Sequence, residues 1–254
     1  MLVDTHTHID DDAFAPDLNA VLARARAAGV MAQVVAGYVA THWSRLRQTC
    51  AAHEGLHAAY GLHPLYVAHH QPADLALLEH WIEQQQPVAI GECGLDFYVA
   101  GLDSARQAYF FSRQLAMAKE ANLPVVIHAR RAVDAVIAEI KKHPGVRGMV
   151  HGFVGSAQQA MRLVDLGFSL SFGGPLTYER AHRVRACAQA VPEFALLLET
   201  DAPDQPLAGW QGQRNEPARL PQVLAVLAQL RETDPMTLAA TTTDNARQLF
   251  KLAV

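Results

Sequence analysis

His6 and His8 stand two residues apart in the run Val3-Asp4-Thr5-His6-Thr7-His8. In an extended strand, residues i and i+2 point to the same side, so both imidazoles can aim at one ion. Further along, Glu92, His128, His151 and Asp201 each close or follow a short apolar run. Imidazole together with carboxylate suits divalent ions such as Zn²⁺ or Mn²⁺, and suits Mg²⁺ less well as carboxylates become fewer. Six candidate ligands exceed the three protein ligands usual for one catalytic zinc, so two ions sharing Glu92 is the simplest arrangement. Such a pair, about 3.5–4 Å apart, can activate water and stabilise a leaving oxygen. One strand-end histidine alone is commonly structural. A whole set converging without a metal would bury several polar groups at a cost.

Residues spread from position 6 to position 201 meet only if the fold gathers many strand ends at one place. The chain has that pattern. Apolar runs at 2–6, 31–37, 56–62, 87–91, 123–127, 148–150, 168–172 and 194–198 read as strands. Helical patterns at 17–29, 41–53, 72–85, 104–122, 132–143, 156–166, 178–190, 217–231 and 235–250 lie between and after them. Eight βα units predict a (β/α)₈ TIM barrel, whose site lies at the C-terminal ends of the strands. No composition break or Ser/Gly linker interrupts residues 1–254, which predicts a single domain. The polar stretch 203–215 reads as a long loop after the eighth strand.

Half of the residues are hydrophobic and 18% are charged, which supports a large core and argues against disorder. The net charge of −4 gives no sign of a broad basic face for duplex DNA. Bound metal would still supply local positive charge for nucleic-acid ends. Three widely spaced cysteines form no CxxC pair, so neither a disulfide framework nor a zinc ribbon is expected. The N-terminus lacks the pattern of a signal peptide, and no long apolar run suggests a membrane span, so a cytoplasmic location is expected.

The run Val3 to His8 resembles the opening of the TatD-like metal-dependent hydrolases. So do Gly61-Leu62-His63-Pro64, Ile90-Gly91-Glu92-Cys93-Gly94-Leu95-Asp96-Phe97, Val126-Ile127-His128-Ala129-Arg130, Val150-His151-Gly152-Phe153, Glu199-Thr200-Asp201-Ala202-Pro203, Arg214-Asn215-Glu216-Pro217 and Asp244-Asn245-Ala246. Pro203 to Pro206 and Gly209 to Gln213 most resemble the YjjV-type branch of that family. The resemblance implies an amidohydrolase-superfamily barrel with one to three divalent ions. It implies 3′-to-5′ exonuclease or related deoxyribonuclease activity, by a metal-activated water, in several members. In others it implies a metal-dependent esterase or amidase, such as hydrolysis of D-aminoacyl-tRNA. The partners it implies are nucleic-acid ends or small phosphate and ester substrates.

By this resemblance His6, His8, Glu92 and Asp201 hold one ion, while Glu92, His128 and His151 hold a second, with Glu92 bridging. Asp201 is the candidate general base, or a ligand only. His63 contacts substrate phosphate or an additional ion, or is a structural histidine fixed by Pro64. Arg130 neutralises phosphate through its planar fork or forms a surface salt bridge. Glu199 is a supporting partner behind a ligand or a loop hydrogen-bonder. Asn215 and Glu216 read as helix caps before Pro217. Phe97, Phe153, Tyr178 and Trp210 either stack on bases or pack. Cys93 is not expected to ligate metal, because Glu92 takes that side of the strand. Asp10, Asp11 and Asp12 place negative charge near the expected mouth, which a polyanion would resist.

Overall fold

Continuous apolar runs form strands that can be buried on both faces, and here eight of them do so side by side. The structure is a computed structural model describing residues 1–253. The strands are β1 (Leu2–Thr7), β2 (Val30–Ala36), β3 (Leu56–Tyr60), β4 (Ala89–Asp96), β5 (Val125–Arg130), β6 (Gly148–Val150), β7 (Phe168–Phe172) and β8 (Leu196–Leu198). The helices are α1 (Leu18–Ala27), α2 (Trp43–Ala52), α3 (Pro72–Gln85), α4 (Ser104–Glu120), α5 (Val133–Ile140), α6 (Ala157–Asp165), α7 (His182–Ala190), α8 (Leu220–Arg231) and α9 (Pro235–Phe250). The strands run parallel in the order β1 to β8, with the first eight helices outside them. This is the (β/α)₈ barrel that the pattern predicts.

Two cores result. The larger lies between strands and outer helices and includes Leu62, Phe111, Ile127 and Leu224. The smaller fills the barrel interior with Val3, Val34, Ala59, Ala89, Val126, Met149 and Leu197, and meets Ala246, Leu249 and Phe250 of α9. The last helix therefore plugs the floor of the barrel. The seam between β8 and β1 is closed by discrete bonds. The Thr5 hydroxyl donates to the Leu198 carbonyl at 2.9 Å, the Asp201 amide to His6 O at 2.9 Å and the His8 amide to Ala202 O at 2.8 Å. The Asp4 carboxylate accepts from both the amide and the hydroxyl of Thr200.

Several boundaries differ from the sequence expectation. The fourth strand does not stop at Gly91 but continues to Asp96, and all eight of its residues are buried. Gly94 there has φ +134°, and a Cβ would lie 2.1 Å from the His128 carbonyl oxygen. Glycine at this position permits close approach of strands rather than ending one. The fifth strand likewise runs on to Arg130. The eighth starts at Leu196, because Pro192 leads into a 3₁₀ turn over Glu193–Ala195 that leaves Phe194 69% exposed. A second 3₁₀ turn, Gly174–Thr177, delays the seventh helix to His182.

Candidate metal centre

Glu92 projects from the middle of β4 and is the hub of the cup. Its Oε1 lies 2.7 Å from His63 Nε2, 2.9 Å from His151 Nε2 and 3.0 Å from His128 Nδ1. Its Oε2 lies 3.2 Å from His6 Nε2 and 3.4 Å from His8 Nε2. Asp201 Oδ1 stands on the same side, 3.3 Å from His6 and 3.5 Å from His8. One carboxylate thus has a separate donor group at each oxygen. All six candidate ligands come together, although their strands are distant in sequence.

The far side of each imidazole decides what the near side offers. His8 Nδ1 donates to the Ala36 carbonyl at 2.8 Å, leaving the Nε2 lone pair of the neutral ring directed at the cup. His128 Nε2 donates to Asp96 Oδ2 at 2.9 Å, which leaves Nδ1 facing Glu92. His63 has the opposite arrangement. Its Nδ1 accepts from the Leu65 amide at 3.1 Å, so Nε2 carries the proton and donates to Glu92. His8 and His128 are therefore held as ligands usually are, with the second nitrogen anchored, whereas His63 is presented as a donor. Behind His151, Glu199 Oε1 lies 3.5 Å from Nδ1 and accepts from the Gly152 amide at 2.7 Å.

The electrostatics follow from burial and crowding. Burial raises the Glu92 carboxyl, but the charges of His63, His151 and His6 overcome this and hold it well below the usual range. Burial also raises Asp201, and the close approach and charge of His6 bring it to about 2. Burial lowers His8, yet Glu92 and Asp201 lift it to about 9. Burial dominates at His63, which falls to about 4 in spite of Glu92. In the protein alone, histidine protons balance the two carboxylates.

A divalent cation fits this donor set. His6 Nδ1 and Nε2 and His151 Nδ1 are buried without a hydrogen-bond partner. His6 Nε2 approaches both carboxylates and hydrogen-bonds to neither. Three groups bring ligand atoms within 4.8 Å of one another: His6, His8 and Asp201; His6, Glu92 and His151; and His63, Glu92 and His128. The tautomer of His63 makes the last of these the poorest ligand set.

The remaining expected residues divide. Arg130 lines the mouth of a cleft of about 600 Å³ above the cluster, where its guanidinium stacks on Tyr98 with 3.8 Å from Cζ to the ring centroid. Cys93 faces away, its thiol 3.7 Å from Val126 O. Asn215 does not serve mainly as a helix cap: its amide donates to Thr200 O and Gln205 O and pins the loop after β8. Glu216, also expected as a cap, makes no side-chain cap bond and pairs with Arg24. Phe153 is core, and the Tyr178 hydroxyl donates to Pro206 O at 2.9 Å. Trp210 lies under the Arg219 guanidinium, and Phe97 is exposed. Asp10 is buried, Asp11 caps a 3₁₀ turn through the Ala13 amide, and Asp12 pairs with Arg45, so only Asp11 of the three lines the cleft.

Sequence reasoning passed over Asp96, Gln205 and the stacked pair Tyr38 and Tyr66 at the cleft wall. Asp96 had a usable signal. It is four residues after Glu92, on the same face of a strand once that strand is read past Gly91.

The chain matches the model of a family described as TatD related DNase over residues 3–251. It is 40% identical over 253 residues to the uncharacterized metal-dependent hydrolase YjjV of Escherichia coli K12, covering 98% of each chain. It is 34% identical to the 3′-5′ ssDNA/RNA exonuclease TatD of Klebsiella pneumoniae, covering 100% of this chain and 99% of that protein. The crystal structure of Escherichia coli YjjV superposes with a TM-score of 0.95 at 39% identity, over 99% of this chain and 98% of that one.

Proposed function

The chain belongs to the TatD-related DNase family of metal-dependent hydrolases, and from that premise we propose that it is a divalent-metal-dependent 3′-to-5′ exonuclease acting on single-stranded nucleic-acid ends. The observation that carries this reading is the divided environment of Glu92, with His128 and His151 at one oxygen and His6 and His8 at the other. On it, His6, His8, Glu92 and Asp201 hold one ion, and Glu92, His128 and His151 hold a second, each Zn²⁺, Mn²⁺ or Mg²⁺. Ions bound there would acidify a water and offset the charge of a phosphodiester.

The side chains supply the rest. Asp201 is the general base. The Gln205 amide engages Oδ2 and fixes the carboxylate plane, leaving a second lone pair on that oxygen to take a proton from water. His63 offers Nε2–H as a neutral donor to a phosphoryl oxygen. Arg130, its face on Tyr98, keeps the guanidinium edge free for phosphate. Asp96 and Glu199 orient His128 and His151 from behind. The same reading takes residues 1–254 as one catalytic domain. It places that domain in the cytoplasm, in keeping with three free thiols and with no helix, among the described residues, long and apolar enough to cross a membrane.

A second reading has its own support. Asp11 and Asp204 line the cleft beside Asp201, and acidic groups there suit a substrate bearing an ammonium, such as an aminoacyl ester on a nucleic-acid 3′ end. The test is shortening of 5′-labelled single-stranded DNA by the wild type, by chelator-treated protein and by Asp201→Asn, each with Mg²⁺, Mn²⁺ or Zn²⁺. Stepwise shortening that chelation abolishes and metal restores, with loss in Asp201→Asn, is expected. Absence of shortening with every metal would overturn the nuclease reading in favour of the aminoacyl ester.

A further inference from the structure

Beyond the metal cluster, Arg130 lines the cleft and shares the ring of Tyr98 with its neighbour Arg131. Arg130 ends β5, and Arg131 follows it with φ +54°. Successive residues of a strand point to opposite faces. The left-handed turn at Arg131 breaks that alternation, and both guanidiniums reach the ring of Tyr98, at 3.8 Å and 4.8 Å from its centroid. A left-handed arginine is strained backbone, and here the turn is what brings both side chains to one ring. Among the described residues neither guanidinium is in an ion pair, whereas Arg24, Arg45 and Arg214 all have carboxylate partners. Tyr98 is 49% exposed and stands between exposed Phe97 and Val99.

This platform is fastened to the cluster. Asp96 Oδ1 accepts from the amides of Tyr98 and Val99 at 2.8 and 3.0 Å, while Oδ2 holds His128. The Phe97 amide donates to Arg130 O at 2.9 Å, tying the two loops together. One carboxylate thus fixes both a candidate ligand and the ring on which the arginines rest. Asp11 and Asp204, which follow β1 and β8 and so lie across the strand order from β5, make another part of the lining acidic. A polyanion entering the cleft has one favourable side on which to lie.

We propose that Tyr98 and Arg131, beside Arg130, form a second phosphate subsite that holds the phosphodiester next to the scissile one. Arg130 faces the cleft, and Arg131 extends the positive surface outward along the chain. Lying over the ring of Tyr98 leaves guanidinium N–H groups for oxygen. The inference rests on the nuclease reading and adds to it a means of sensing chain continuation. A substrate with a single phosphodiester does not use the subsite.

The test compares wild type with Arg131→Ala, Arg131→Glu and Tyr98→Leu. One readout is the ratio of kcat/KM on decathymidylate to kcat/KM on bis(p-nitrophenyl) phosphate, which has one phosphodiester. A second is binding of a cleavage-resistant phosphorothioate decathymidylate, followed by fluorescence anisotropy at several salt concentrations. The ratio is expected to fall about tenfold in Arg131→Ala and further in Arg131→Glu, mainly through KM. The slope of log Kd against log salt is expected to shrink by about 0.7, the value for one lost phosphate contact to a single strand. An unchanged ratio and unchanged binding in Arg131→Glu would overturn the subsite and leave the nuclease reading intact. Wild-type protein that binds the strand through Arg131 but cleaves only the small diester would sustain the subsite and overturn the nuclease reading. Wild-type protein that neither binds nor shortens the strand would overturn both.

Discussion

The two ends of the barrel interior are made from the same strands and are opposite in chemistry. At the floor, Val3, Val34, Ala59, Ala89, Val126, Met149 and Leu197 meet Phe250 and its neighbours in α9. At the rim, a few residues further on, stand His6, His8, His63, Glu92, His128 and His151. Floor residues are selected for size, because a packed interior tolerates neither gaps nor excess volume. Rim residues are selected for charge and donor geometry, and burying them opposes folding unless they are paired. The helix that plugs the floor lets the same barrel carry a buried ionic cluster at its mouth.

That contrast is broken most sharply from the rim. Glu92→Gln keeps the shape and removes the charge shared by five histidines. Losing several kcal/mol of charge stabilisation corresponds to a fall in kcat of about 1000-fold or more. The buried histidines also lose their counter-charge, which lowers Tm, so the rate is read at a temperature where the variant is folded. Steady-state hydrolysis with saturating metal checks this, and a variant retaining more than a tenth of the wild-type rate would remove Glu92 from its shared position. Phe250→Ala is the reverse operation. It opens a cavity where α9 seals the barrel and should cost about 3–5 kcal/mol, lowering Tm by roughly 10 °C. At low temperature the folded fraction should retain wild-type kcat. A large loss of kcat without loss of Tm would mean that floor and rim are not separable.

The contrast also explains what could be read from sequence. From floor to rim, β3, β5, β6 and β8 lead to their rim residues at even spacings. Ala59 leads to His63, Val126 to His128, Met149 to His151 and Leu197 to Glu199 and Asp201, always by an even number of residues. Periodicity places His128 within β5, while His63, His151, Glu199 and Asp201 keep the even count just past the ends of β3, β6 and β8. The other two strands violate it. Val3 and Ala89 are interior, yet His6, His8 and Glu92 lie at odd spacings from them. The ladder has irregularities at those places, between Asp4 and Thr7 in β1 and between Ile90 and Cys93 in β4. Bulges of this kind re-aim side chains beside active sites, and no local pattern announces them. Strict alternation from Ala89 would have put Gly91 and Cys93 inside in place of Glu92. The motif supplied the residue, while its direction depended on packing against neighbouring strands. The position of α9 was hidden for a similar reason: its helical pattern is legible at 235–250, but its place under the barrel is a tertiary fact.

Asp4 lies on the border between the two regions and gives the smallest and most discriminating test. It is fully buried, and burial raises its carboxyl to about 7 although Thr200 hydrogen-bonds to it twice. Its neighbours on β1 are Val3 of the floor and, two residues on, His6 of the rim. If Asp4 belongs with the floor as a structural tie, its hydrogen-bonding shape matters and its charge does not. Asp4→Asn keeps an oxygen to accept from the Thr200 amide and puts an amide donor opposite the Thr200 hydroxyl, which can accept in turn. It should shift stability by less than about 1 kcal/mol, whereas Asp4→Ala, which leaves two buried donors without acceptors, should cost about 1–3 kcal/mol. Urea unfolding of the two variants in parallel measures the difference. Equal losses in Asn and Ala would mean that the negative charge itself is required, which would move Asp4 into the electrostatic balance of the rim and bring the boundary of the functional region down to the second layer of the barrel.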